Sequence, residues 1–114
     1  MSQTQENSIR KDAFRIVIKR LREKNNYTQS QLSALSGISR QHISFIESKG
    51  AILNIATQEC LAKAFNISLV KFFKLFNEEC EKRREIEENY KKTLDSLAAE
   101  SNFTQAYDHQ KRKL

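Results

Sequence analysis

Arg40, Gln41, Ser44 and Phe45 are the residues of this sequence best suited to act on a ligand, and their chemistry is recognition rather than bond-making. An arginine fork can donate two hydrogen bonds to guanine O6 and N7. A glutamine amide can bridge adenine N6 and N7, and each such pair is worth roughly 1–3 kcal/mol of discrimination in the DNA major groove. Ser44 can donate or accept. Phe45 either meets a thymine methyl or packs against a neighbouring helix. Spacings of one, three and four residues put all four side chains on one face of a helix. No nucleophile–base pair and no glycine-rich phosphate loop stands beside them, so an enzyme is not expected. Cys60 and Cys80 lack metal-ligand spacing and read as free thiols in a reducing cytoplasm. Neither a metal nor a cofactor is expected. His42 reads as a surface or phosphate-side histidine, and His109 has no specific role.

The elements that must position these residues are two short helices around Gly37. Thr28 is an N-cap with Gln31 three residues on, a capping box, and Tyr27 with Leu32 has the spacing of a hydrophobic staple. Ser39 repeats the cap, with Ile38 and Ile43 as its staple. Gly37 falls where the first of the two helices must end, because glycine enters the left-handed region without a Cβ penalty. The pattern predicts helices over 28–36 and 39–48, with Leu32, Leu35, Ile38, Ile43 and Ile46 facing one core.

Ahead of them, residues 1–8 read as a flexible arm, and a helix over 8–24 sets Phe14, Val17, Ile18 and Leu21 on one face. Asn25 and Asn26 close it. Beyond the loop 49–53, Asn54 caps a helix over about 55–65 with Ile55, Leu61, Ala62 and Phe65 inward. Gln58 falls on that same inward face, a local conflict. Ser68 caps the fifth helix, with Ile67 and Phe72 as a third staple.

Charge is divided unevenly. Residues 1–77 hold 12 Lys/Arg against 5 Asp/Glu, and residues 78–114 hold 8 against 9, giving +7 and −1. The basic part therefore contains the two-helix stretch, which favours a polyanionic partner. No apolar run approaches the roughly 20 residues that cross a bilayer, and the polar N-terminus does not read as a signal peptide, so a membrane partner is not expected.

From residue 78 the composition changes to Glu-to-basic pairs at i,i+4: Glu78–Lys82, Glu79–Arg83, Glu87–Lys91 and Glu88–Lys92. The helix is expected to continue to about residue 99, with a stop at Ser101-Asn102 and a frayed or disordered tail over 101–114. Phe73, Phe76, Cys80, Tyr90, Leu94 and Leu97 follow a 3-4 alternation interrupted by Arg83 and Glu87. That is a broken coiled-coil seam, read either as a dimerisation element over 78–100 or as a solvated extension.

Arg20-Leu-Arg-Glu-Lys24, Thr28-Gln29, Leu32, Gly37, Ser39, Ile43, Ile46-Glu47 and Leu61-Ala-Lys-Ala-Phe-Asn-Ile-Ser-Leu69 together resemble the XRE family of lambda-repressor-like helix-turn-helix transcription regulators. Within it the spacing looks most like the controller proteins of restriction–modification systems. The resemblance implies an all-α, five-helix domain over 9–77 with a C-terminal helical extension. It further implies that the third helix enters the major groove of double-stranded DNA. It puts Arg40, Gln41 and Ser44 on bases with Phe45 beside them, and Gln29, Ser48 and Lys49 on phosphates; Thr28, Ser39 and His42 are expected to contact phosphates beside them. Arg22 and Glu47 match an ion pair that ties the first helix to the third. The glycine that commonly follows the Glu-X pair is displaced to Gly50, and Gln58 replaces an apolar residue.

The function expected is a sequence-specific transcriptional regulator acting as a homodimer on a pseudo-palindromic operator in a bacterial cytoplasm. The alternative is an antitoxin-type autoregulator whose C-terminal helix binds a partner protein.

Overall fold

The computed structural model describes the backbone of residues 2–113 and the side chains of residues 2–100. Five helices and no strand occur among the described residues: α1 (Gln3–Lys24), α2 (Gln29–Ser36), α3 (Arg40–Lys49), α4 (Ile55–Ala64) and α5 (Leu69–Lys113). The chain divides into two units, Met1–Arg83 and Arg84–Leu114. The first holds α1 to α4 and the start of α5.

Local chemistry sets most of the helix ends. Thr28 Oγ1 accepts from the Gln31 N–H at 3.0 Å while Gln31 Oε1 accepts from the Thr28 N–H at 2.8 Å. Ser39, Asn54 and Ser68 each accept from the N–H three residues on. Such a cap satisfies one of the four donors that a helix start leaves unpaired. Gly37 closes α2 in the left-handed conformation at φ +75, and Asn26 and Asn66 adopt φ of 57 and 56 after α1 and α4.

One core holds the first unit together. Val17, Ile18, Leu32, Ile43, Ile46, Leu61 and Phe72 are fully buried in it. α1 packs on α3, and α2 packs on both α3 and α4. Phe14 stacks on Phe76 with ring centroids 4.0 Å apart and on Phe72 at 6.5 Å. Tyr27, Ile38 and Ile67, the outer halves of the three staples, lie half-buried against this core. Gln58 resolves half of its conflict by donating from Nε2 to the Leu53 carbonyl at 2.9 Å inside the core, while its buried Oε1 has no hydrogen-bond partner.

Four expectations need correction. Residues 3–8 are the first turns of α1, not a flexible arm. Ser2 and Gln5 form a capping box there, and Ile9 and Ala13 bury against Cys80 with Phe76 alongside. Second, Leu35 and Ile55 are exposed, not in the core. In the eight-residue α2 the buried line is Leu32 and Ser36, one turn apart, which rotates Leu35 outward. Ile55 is the first residue of α4, two turns before the buried Ala62, and so falls beyond the edge of the core. Third, α5 passes through Ser101-Asn102 and runs to Lys113. Neither proline nor glycine occurs after Gly50, and serine and asparagine lower helix propensity only slightly. The side chains of the tail expected over 101–114 lie outside the described residues. Fourth, Cys80 is 2% exposed within the chain's own second small cluster, so it cannot contribute to a seam with another helix.

A buried carboxylate sits beside that cluster. Glu79, 3% exposed, accepts from Arg20 Nη2 at 3.2 Å and lies 3.5 Å from Arg83 Nε. The Arg83 contact is an ion pair without hydrogen-bond alignment, since Arg83 Nε makes no hydrogen bond.

Gly50 explains the displaced glycine. It ends α3 with φ +78 and ψ 157, and a Cβ there would fall 2.6 Å from the Lys11 carbonyl oxygen of α1. Gly37 has open space around it. Gly37→Ala therefore costs only the left-handed strain, about 1–2 kcal/mol. Gly50→Ala combines backbone strain of about 1–3 kcal/mol with a backbone clash. We expect Gly50→Ala to lower the melting temperature more than Gly37→Ala does. Equal melting temperatures by circular dichroism would contradict the close approach to α1.

Candidate nucleic-acid interface

α3 has two faces. Ile43 and Ile46 are fully buried, with Glu47 beside them, whereas Arg40, Gln41, Ser44 and Phe45 are all exposed. The isoleucine pair settles which way the helix is rotated, so the four predicted base-reading residues share its outer surface. Ser39, Arg40, Gln41 and Ser44 line one open concavity. Its donors are a guanidinium, an amide and hydroxyls, a set matched to base edges and phosphates.

The residues predicted to hold phosphates are distributed over the two helix starts and the end of α3. Thr28 and Ser39 are exposed caps. Each uses an oxygen lone pair on its own helix and keeps a hydroxyl proton to donate. Gln29, the first residue of α2, is half-buried. No acidic residue occupies the first turn of α2 or α3, so the positive ends of both helix dipoles are left for an anion. His42 and Lys49 are exposed. Ser48 differs: its hydroxyl donates to the Ser44 carbonyl at 2.8 Å, so a phosphate would have to displace that bond.

One ion pair braces this surface. Arg22 Nε lies 2.7 Å from Glu47 Oε2 and Nη2 lies 2.8 Å from Oε1. Both side chains are largely buried, at 15% and 5% exposure. The hydrogen bond to Glu47 raises the Arg22 pKa above its usual value, against the opposing effect of burial. Arg22 Nη1 also donates to the Tyr27 carbonyl at 2.8 Å. The sequence shows the pairing of types but not this third bond, which joins the pair to the residue before the α2 cap.

The residues predicted for dimerisation separate into two sets. Phe73 and Phe76 are half-buried against the chain's own core, and Cys80 is buried. Tyr90, Leu94 and Leu97 in the second unit are exposed, and so is Ile86. Ile86 was missed because the strict 3-4 alternation passes through Glu87 instead. Its signal was the i,i+4 spacing to Tyr90. Among the described residues no group of three or more His, Cys, Asp or Glu could hold a metal ion, and no helix is long and apolar enough to cross a membrane.

A helix-turn-helix surface braced against a first helix, inside an all-α core of five helices, defines a class of protein. The family model described as Helix-turn-helix matches residues 18–72. A variant of the restriction–modification controller protein C.Esp1396I is 32% identical over 64% of this chain and 97% of that one, with a TM-score of 0.60. C.Esp1396I bound to a 19 base pair DNA duplex is 31% identical over 62% of this chain and 93% of that one, with a TM-score of 0.56. The C.Esp1396I tetramer in complex with its natural 35 base-pair operator is 28% identical over 69% and 97%, with a TM-score of 0.54. No curated protein matches at a significant level. The chain belongs to the XRE, or lambda-repressor-like, helix-turn-helix family.

Removing Arg22 leaves the Glu47 carboxylate buried without its counter-charge. Arg22→Ala is expected to destabilise by about 3–5 kcal/mol in chemical denaturation. Arg22→Ala/Glu47→Ala should cost less than the two single losses together. Strict additivity would mean the pair is not coupled.

Proposed function

We propose that the protein is a sequence-specific DNA-binding transcriptional regulator that acts as a homodimer on a pseudo-palindromic operator. The observation that carries this is the exposure of Arg40, Gln41 and Ser44 on α3 opposite the fully buried Ile43 and Ile46. In this reading α3 lies in the major groove. Arg40 reads a guanine, Gln41 reads an adenine, and Ser44 and Phe45 contact neighbouring base edges. Thr28, Gln29, Ser39, His42, Ser48 and Lys49 hold phosphates, which fix register without carrying sequence information. Arg22 and Glu47 keep α3 at the required rotation. The excess of cations in residues 1–77 and the DNA-bound controller structures support the same reading.

Two-fold symmetry would set two copies of α3 about 34 Å apart, one turn of DNA. The exposed Ile86, Tyr90, Leu94 and Leu97 give the second unit an apolar stripe suited to a second copy. One observation favours the antitoxin-type alternative. The controller chains are matched over 93–97% of their own length, whereas over 30% of this chain lies outside those matches. An added helix with an apolar stripe can take a different protein.

Truncation after Arg83 separates the two readings. Loss of the dimer and of tight operator binding supports the homodimer. Retention of both, with a small protein co-purifying stoichiometrically only with the full chain, supports the alternative. For the reading face, Arg40→Ala should weaken specific binding by about 1–3 kcal/mol and relax preference at one base position. Lys49→Ala should weaken all sequences alike and reduce the salt slope by about 1. Selection from random DNA checks both, and an unchanged enriched site for Arg40→Ala would remove Arg40 from the reading set.

A further inference from the structure

Phe45 is the one side chain on the outer face of α3 that can neither donate nor accept a hydrogen bond. The others there are Arg40, Gln41, His42, Ser44, Ser48 and Lys49. Phe45 is 52% exposed, although the next residue, Ile46, is fully buried. About half of the ring is therefore left open to solvent and available to a ligand. One turn of helix separates Phe45 from Gln41, so ring and amide are neighbours at a separation of about 5–6 Å between Cβ atoms.

A major groove offers hydrogen-bonding atoms at every base pair, and its one apolar group is the C5-methyl of thymine. A phenyl ring laid against any other base edge desolvates polar atoms without pairing them, which is unfavourable. We infer that Phe45 reads the C5-methyl group of a thymine within about two base pairs of the adenine addressed by Gln41. This rests on the reading of α3 as the major-groove helix. It adds a specificity element that works by apolar contact beside the hydrogen-bonding ones. Because the ring discriminates a methyl group and not a donor or acceptor, it distinguishes thymine from uracil, which no hydrogen bond in the groove can do.

The experiment uses the full-length protein and the DNA site that it enriches from a random pool. Each thymine of that site is replaced singly by deoxyuridine, which deletes the methyl and keeps the base pair. Binding is measured for wild type, Phe45→Ala and Phe45→Leu. The expected result is one thymine per half-site at which uridine weakens wild type about fourfold, the equivalent of one buried methyl group. Phe45→Ala should bind the thymine and uridine sites equally, and Phe45→Leu should keep part of the preference. Thermal melts of the variants check that the exposed ring is dispensable for folding. Full wild-type affinity with uridine at every position overturns the methyl readout and leaves the DNA-binding reading standing. Failure to enrich any sequence overturns both.

Discussion

The guanidinium of Arg22 directs its donors at two elements besides its own helix. Two go to the Glu47 carboxylate near the end of α3, and a third goes to the Tyr27 carbonyl just before the α2 cap. Ile43 and Ile46 attach α3 to the core, but apolar contact is non-directional and tolerates small rotations of a ten-residue helix. A bidentate pair does not, because both hydrogen bonds are lost when the planes turn. Buried pairs add little net stability over an apolar replacement. The use of this one is geometric: it fixes the outer face of α3 and the start of α2 relative to α1 at the same time.

The pair also shapes the field in front of that face. Glu47 is the only acidic residue between Tyr27 and Gly50. Its charge is buried and matched by Arg22, so it does not repel a polyanion approaching Arg40 and Lys49. Asp12 is held near Arg15 at 3.6 Å. The polar groups that reach solvent around the α2–α3 turn, beside the exposed Leu35 and Phe45, are hydroxyls, amides, imidazole and cations, with two helix starts that carry no acid of their own. The same surface offers hydrogen bonds to bases and electrostatic attraction to phosphates, and the second supplies most of the sequence-independent affinity of such proteins.

Caps and staples were legible in the sequence because they are decided within five residues: Thr28 with Gln31, Ser39 with Ile38 and Ile43, Asn54, and Ser68 with Phe72. The α3 outer face was legible for a related reason, since Ile43 and Ile46 leave one rotation. What the sequence did not show depends on partners distant in the chain. Residues 3–8 look like a polar arm, and the helix after them shows no use for Ile9 and Ala13 until Cys80 and Phe76 are placed over them. Leu35 and Ile55 are apolar, yet the buried Leu32–Ser36 line turns Leu35 outward and Ile55 lies at the exposed start of α4. Gly50 reads as a displaced helix stop, and only the approach of the Lys11 carbonyl shows why no Cβ is allowed there. Arg20 and Glu79 are 59 residues apart, and nothing local pairs them.

The number of side chains on α3 proposed to read bases bears on the proposed homodimer. Arg40, Gln41 and Ser44, at roughly 1–3 kcal/mol each for a good contact, supply on the order of 3–9 kcal/mol. A genome presents about 10⁶–10⁹ competing sites, and outweighing them takes about 8–12 kcal/mol. One copy of this surface stands at or below that range, and the methyl contact of Phe45 raises it only slightly. Two copies at fixed spacing double the discrimination to roughly 6–18 kcal/mol, a range that spans the requirement, provided that something holds the spacing. In the proposed complex the reading face cannot do so, because its residues are occupied by DNA. The exposed stripe Ile86–Leu97 lies in the other unit of the chain, Arg84–Leu114, on residues that the reading surface does not use. Pairing copies there would use none of the side chains proposed to read bases, as the proposed binding to a symmetric operator requires.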